Sequence, residues 1–363
     1  MSDKNNNKTL TLEDLGYDDF FASRQKELGF AERQAARVIA EHREAYTVQG
    51  VRGEYFAKIT GKQLFNASKR EDYPAVGDWV IVDESDDEHA TIRAILPRRS
   101  VLKKKYSNKQ ETQVIAANVD TVFVVESVDR DYNLNRFERY FVLAREGNIL
   151  PAIILNKIDL ISEEELGRRT RETQDRFGDI DVILTSTIAE RGLLRLADYI
   201  KRGKTYCFLG SSGVGKSSLI NTLIGKEEIR TSEISSSTGK GKHTTTTREM
   251  YVLDSGGIVI DNPGTREVGI ADAPAGIENV FDEITRLSKE CRYADCAHTH
   301  RPGCAVLEAV ERGILNKNKY ENYIKLKKEA EYFRMTDIER REKDRKFGKF
   351  VKKALEQLKD IER

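Results

Sequence analysis

Between about Arg37 and Pro97 the chain alternates apolar and polar residues in short runs punctuated by Gly and Asp. Arg37-Val38-Ile39-Ala40, Tyr46-Thr47-Val48, Glu54-Tyr55-Phe56-Ala57-Lys58-Ile59, Asp78-Trp79-Val80-Ile81-Val82 and Thr91-Ile92-Arg93-Ala94-Ile95-Leu96 each read as a half-buried strand. Strands this short and this close predict a small barrel of the OB type. Ahead of it lies a polar leader with a short amphipathic helix around Asp18–Leu28. Beyond it the apolar runs become continuous: Thr121-Val122-Phe123-Val124-Val125, Ala152-Ile153-Ile154-Leu155, Val182-Ile183-Leu184 and Tyr206-Cys207-Phe208-Leu209. Helical stretches such as Asn135–Glu146 separate them, so this part predicts a parallel sheet with crossover helices. After about Phe281 that rhythm stops, and a cysteine cluster and charged helices follow. The expected organisation is multi-domain: a leader over 1–34, an OB-type β-barrel over 35–99, an α/β P-loop domain over 110–280 and a helical domain over 281–363.

Composition adds four points. A chain of 363 residues, 39% hydrophobic and 33% charged, is a globular protein too long for one core. Its net charge of +1 hides an asymmetry, because Gly313–Arg363 carries 16 Lys/Arg against 10 Asp/Glu. No run approaches about 18 apolar residues and the first residues have no hydrophobic signal region, which predicts a cytoplasmic protein with no membrane partner. In a reducing compartment the clustered Cys291, Cys296 and Cys304 favour a metal over a disulfide.

Two motifs define the candidate chemistry. Gly210-Ser211-Ser212-Gly213-Val214-Gly215-Lys216-Ser217 follows a predicted strand and opens a helix at Ser218, the context a phosphate-binding loop requires. Gly210, Gly213 and Gly215 let backbone N–H groups turn toward phosphates, Lys216 bridges the β- and γ-phosphates, Ser217 offers a hydroxyl to Mg²⁺, and Ser218 continues the nucleotide contact. The second motif is Asn156-Lys157-Ile158-Asp159. A carboxylate at Asp159 can accept from both guanine N1–H and the exocyclic amine, a donor pair adenine lacks. Asn156 would tie this loop to the phosphate loop, and the Lys157 stem would pack along the base. Thr185-Ser186-Thr187 ends the next strand and offers a second guanine contact through Ser186, although Ser and Thr commonly end strands. The guanine reader comes before the phosphate loop, the reverse of the ordinary GTPase order, so the chain reads as a circularly permuted GTPase taking GTP/GDP with Mg²⁺.

Asp261-Asn262-Pro263-Gly264 follows a hairpin-like run over Met250–Ile260. It suits a Mg²⁺-associated carboxylate at Asp261 and a γ-phosphate sensor at Gly264, or else a plain Asn-Pro-Gly turn. The polar, glycine-broken stretch Ser235–Thr247 reads as a switch loop able to order around Mg²⁺ through a threonine, with an unstructured linker as the alternative. Where many GTPases place a water-orienting Gln this chain has Thr265, and His243 is the local candidate for that task. Cys291, Cys296, His298 and Cys304 make the donor set of one closed, structural Zn²⁺ site, with His300 a competing fourth ligand. From Arg340 to Lys353 eight of fourteen residues are basic, with Phe347 and Phe350 among them. That tail fits RNA as well as a solvated helix docking its Phe face.

Taken together the chain resembles the ribosome small subunit-dependent GTPase A family, circularly permuted bacterial GTPases. The likeness covers nearly the whole chain. It runs through Val76-Gly77-Asp78-Trp79-Val80, Ala116-Ala117-Asn118-Val119-Asp120, the inverted motif order, Gly241-Lys242-His243-Thr244-Thr245-Thr246, the Cys-Cys-His-Cys cluster and Arg341-Glu342-Lys343-Asp344-Arg345-Lys346-Phe347-Gly348-Lys349. The resemblance implies a GTP hydrolase stimulated by the small ribosomal subunit, gripping ribosomal RNA with barrel and zinc domains as a late maturation checkpoint and released on hydrolysis. The rival is an RNA-binding assembly scaffold with a slow or non-essential nucleotide site. By the same analogy Thr245 is the switch threonine on Mg²⁺ and the γ-phosphate, and Lys216 and His243 act in hydrolysis. A monomer working on a large partner is expected. Thr187 stands where the family usually has Ala.

Overall fold

The computed structural model describes residues 10–43, 45–105, 111–129, 132–225, 248–262, 269–270, 273–300, 302–336, 338–343 and 345. They form two compact units, Met1–Gly269 and Ile270–Arg363.

The first unit opens with helix α1 (Asp19–Glu27), capped by the Asp18 side chain accepting from Phe20 N. Strands β1 (Gln34–Glu41), β2 (Tyr46–Gly50) and β3 (Gly53–Ile59) follow, then helix α2 (Gly61–Asn66) and strands β4 (Trp79–Glu84) and β5 (His89–Ile95). Strand order β1-β2-β3-β5-β4 closes on itself through the antiparallel β1–β4 pairing, with β3 and β5 parallel. This is the closed five-stranded barrel that the alternation predicts. Its interior is filled by Ala36, Val38, Val48, Ala57, Val80 and Ile92, all fully buried.

Strands β6 (Val101–Lys105) and β7 (Thr112–Ala117) form a separate hairpin. Strand β6 has no clear apolar period in the sequence, because three of its five residues are lysines on a partly buried ribbon. Then come β8 (Thr121–Ser127), α3 (Leu134–Glu146), β9 (Leu150–Asn156), α4 (Glu163–Arg176), β10 (Val182–Thr185), α5 (Leu193–Tyr199), β11 (Thr205–Leu209), α6 (Lys216–Ile224), β12 (Glu249–Val252) and β13 (Ile258–Asp261). Their sheet runs β10-β9-β8-β11-β13-β12, parallel except for the edge strand β12. All seven residues of β8 are buried, as expected of a parallel strand covered on both faces. A bridge between Ala40 of β1 and Glu249 of β12 makes sheet and barrel continuous, beside an Arg248–Glu41 ion pair at 2.8 Å.

The joint between barrel and sheet is built from the two short motifs quoted above. Ala117 N donates to Val76 O at 2.9 Å, and Asn118 Nδ2 donates to Gly77 O at 3.1 Å. A Cβ on Gly77 would sit 2.1 Å from Ala117 O, and its φ of +93° disfavours any L side chain, so both constraints demand glycine. Arg37, 1% exposed, threads this joint. It donates to Gly77 O at 3.2 Å, Asn118 O at 3.3 Å and Thr205 Oγ1 at 2.9 Å, and also to Leu15 O in the leader. Burial pulls its pKa down to about 10. The leader is therefore part of the core: Phe21 packs against Trp79, and Asp14 holds Arg202. Arg37→Met strands several buried acceptors at once and is expected to cost about 3 kcal/mol or more. Denaturant unfolding that moves by less than about 1 kcal/mol would show that the joint does not depend on it.

The second unit carries α7 (Pro274–Val280), α8 (Asp282–Ser288), α9 (Ala305–Glu311) and α10 (Lys317–Arg334) around Phe281, Ile284, Val306 and Leu326. No described helix is long and apolar enough to cross a membrane.

Candidate functional site

The phosphate loop spans the gap between β11 and α6, at the carboxyl end of the parallel strands, where open α/β sheets bind ligands. Gly210, Gly213 and Gly215 have φ of +149°, +83° and +97°, so the loop follows a path closed to other residues. A Cβ on Gly210 would lie 2.2 Å from Val125 O, and one on Gly215 would lie 2.3 Å from Asn156 Nδ2. The Lys216 ammonium reaches back to the carbonyls of Gly210 at 2.9 Å and Ser211 at 2.7 Å, which keeps it over the loop. Ser217 and Ser218 stand in the first turn of α6, whose amino end faces the same cradle.

The proposed base-reading residues meet at the ends of β9 and β10. Asn156, 1% exposed, donates from Nδ2 to Val214 O at 2.8 Å, and this is the tie between the two loops that the sequence reading expects. Its Oδ1 accepts from Thr185 Oγ1 at 3.0 Å. Nothing in the sequence assigns Thr185 this task beyond its position ending an apolar strand. Lys157 takes a left-handed φ of +62°, and its Cε lies 4.0 Å from the space a Gly215 Cβ would fill. The stem thus runs beside the phosphate loop. Ser186 is fully buried; its hydroxyl donates to Asp159 and accepts from Ala189 N at 3.0 Å. One Asp159 oxygen is thereby oriented by the second loop.

Asp261 ends β13, next to β11 in the sheet. Burial raises its carboxyl to about 6, opposed by the nearby Lys216 ammonium and reinforced by Glu249. A dication beside it would favour the charged form. Asn262, to which the sequence alone assigns no task, is 1% exposed; its Nδ2 donates to Cys207 Sγ at 2.8 Å, and its Oδ1 has no hydrogen-bond partner among the described residues. Gly264, Thr265, His243, Thr245 and the stretch Ser235–Thr247 lie outside the described residues, as do Phe347 and Phe350 of the tail.

In the second unit Cys291, Cys296, His298 and Cys304 converge, with all ligand atoms within 4.8 Å of one another. Cys291 Sγ is 3.8 Å from Cys304 Sγ and 3.6 Å from His298 Nδ1, and Cys304 Sγ is 3.5 Å from that nitrogen. A tetrahedron with Zn–S of about 2.3 Å and Zn–N of about 2.05 Å has edges of roughly 3.8 and 3.6 Å. The donor set fits that ion. Burial, and the neighbouring Cys296 and Cys291 thiols, push Cys304 up to about 11, a cost that a bound dication reverses. His298 turns inward with φ +59° and its carbonyl accepts from Tyr320 Oη at 2.6 Å. His300 is exposed and pairs with Thr299, outside the cluster.

The sequence model described as RsgA GTPase matches residues 95–271. The chain is 40% identical over 358 residues to a Bacteroides thetaiotaomicron protein named small ribosomal subunit biogenesis GTPase RsgA 1, covering 98% of each chain. It is 39% identical over 339 residues to the protein named small ribosomal subunit biogenesis GTPase RsgA in Opitutus terrae, covering 89% and 90%. Among solved structures it is similar to YjeQ from Thermotoga maritima, with a TM-score of 0.61 and 29% identity over 81% of this chain and 97% of that one. It also shares the fold of YloQ, a circularly permuted GTPase, with a TM-score of 0.58, 24% identity, and coverage of 84% of this chain and 97% of that one. Fold and likeness define the class, a circularly permuted GTPase. Within that class the chain belongs to the RsgA GTPase family.

Proposed function

We propose that this protein hydrolyses GTP on the maturing small ribosomal subunit and leaves it on hydrolysis, as a late checkpoint in subunit biogenesis. The observation that carries the reading is the conjunction, in one chain, of an inverted nucleotide site, a leading barrel and a Cys₃His cluster, with 40% identity to a small-subunit biogenesis GTPase over 98% of its length. Asn156, Lys157, Asp159 and Ser186 read guanine; Gly210, Gly213, Gly215, Lys216, Ser217 and Ser218 hold the phosphates. Ser217, Asp261 and Thr245 serve Mg²⁺, which when bound neutralises phosphate charge. Gly264 senses the γ-phosphate and His243 orients the attacking water. Cys291, Cys296, His298 and Cys304 hold one structural zinc. The barrel, whose β1-β2-β3-β5-β4 order supports an OB-type fold, and the basic tail contact ribosomal RNA. The protein works as a cytoplasmic monomer.

The test is GTP turnover by the pure protein with and without small subunits. Stimulation of about tenfold or more by small but not large subunits is expected, since activation in trans supplies what a missing Gln does not. Tight subunit binding with no stimulation would leave an RNA-binding scaffold with a slow nucleotide site.

A further inference from the structure

The barrel carries an exposed aromatic ring in the middle of a strand. Phe56, 42% exposed, sits mid-strand on β3, paired with Thr47 on β2 and His89 on β5. His42, in the turn after β1, lies 5.9 Å from its ring at 33°, and the His89 ring lies 6.4 Å away, edge-on at 85°. Both imidazoles are fixed: His42 Nε2 bonds Thr47 Oγ1 at 2.8 Å and His89 Nδ1 bonds Asp86 at 2.9 Å. Outward neighbours along β3 are Glu54 and Lys58, both exposed. An apolar protein-docking patch would be contiguous. Here one π-face is framed by rings and polar groups.

His42 also lines a cavity of about 420 Å³ between this turn, the segment after α2 and strand β7. Arg43, Lys69, Arg70, Tyr46, Tyr73 and Glu111 contribute to its wall. Two acids there are already offset, Glu41 by Arg248 at 2.8 Å and Glu111 by Arg70 at 3.9 Å. Arg43 and Lys69 have no ion-pair partner among the described residues, which leaves the cavity an excess of positive charge. Its volume suits one nucleotide.

Resting on the RNA-binding reading above, we propose that Phe56, His42 and His89 form a stacking platform for a base of single-stranded RNA, with Arg43 and Lys69 of the adjoining cavity taking the neighbouring phosphates. An unpaired base offers a π-face that a duplex hides, and the cations meet a backbone that tracks past it. A duplex could use the cations but not the ring.

The experiment uses the full chain and a fluorescein-labelled single-stranded RNA of about eight nucleotides, with its duplex form as control. Phe56→Ala is expected to weaken the single strand by about 5- to 100-fold, with Phe56→Tyr restoring it and the duplex unaffected. Arg43→Ala with Lys69→Ala should lower the salt slope of binding by about one to one and a half. A 4-thiouridine crosslink should map to the peptides bearing His42 or Phe56. Unchanged affinity in both variants, crosslinks confined to other segments, or a wild-type chain that ignores single strands would each overturn the platform. Subunit-stimulated GTP turnover, measured in parallel, separates the two readings. Stimulation without platform binding sinks this inference alone, whereas platform binding without stimulation sinks only the checkpoint.

Discussion

Asp159→Asn is expected to move nucleotide preference from GTP to xanthosine triphosphate by about 10³-fold or more, because a site built to hydrogen-bond one donor pair rejects a base that leaves a partner unmatched. Guanine presents two donors, and a carboxylate accepts both. Xanthine replaces the exocyclic amine with a carbonyl, which needs the donor that an asparagine amide supplies. The Asp159 carboxylate is in position for this task because Ser186 donates to it from a fully buried site while Ala189 N holds the Ser186 hydroxyl. Asn156 locks the loop to Val214 O at 2.8 Å, so a base reader that shifts must drag the phosphate loop with it. Competition binding of the two nucleotides to wild type and variant reads the change directly. A variant that still prefers GTP tenfold would mean that some other group reads the base.

Removing the metal ligands should have an equally large effect in a different part of the chain. Helices α7, α8 and α9 are seven residues each, too short to persist without tertiary support. Structural zinc in small domains supplies apparent binding free energies of about 10–16 kcal/mol, so most of the order around Cys291–Cys304 should depend on it. The purified chain is expected to carry one zinc, and Cys304→Ser to lose it and open the segment around Cys291–Cys304 to protease. Guanine-nucleotide binding should survive, because the nucleotide site lies wholly in the other compact unit. A metal-free chain with the same protease resistance would show that the four side chains are only neighbours.

What could be read from the sequence follows from how strongly each feature is constrained locally. Strand β8 announces itself because both faces are covered, which forces a run of apolar residues. The phosphate loop and the Cys₃His set are legible because a phosphate or a metal fixes which residue types can occupy closely spaced positions. Arg37 carried no such mark: an arginine opening a strand reads as surface, and its partner Thr205 lies 168 residues away. The same holds for Glu138, fully buried on α3 and answered by Arg176 at 2.8 Å. The leader reads as a polar extension because, among its described residues, Leu15 and Phe21 are the only buried apolar side chains, too few for a pattern. In each case the deciding partner comes from a distant element, and no local period records it.

The ladder that joins sheet and barrel is one residue pair wide, Ala40 with Glu249, and it falls at an unusual place. Residue 248 is the first described position after the proposed switch stretch, and its guanidinium holds Glu41. The next residue along from Glu41 is His42, which leans on Phe56. The start of β12 is thus one ion pair away from the turn beside the outward-facing ring. The amino end of β12 is held to the barrel by one ladder pair and one ion pair, and the turn that carries His42 and Arg43 starts from the same point.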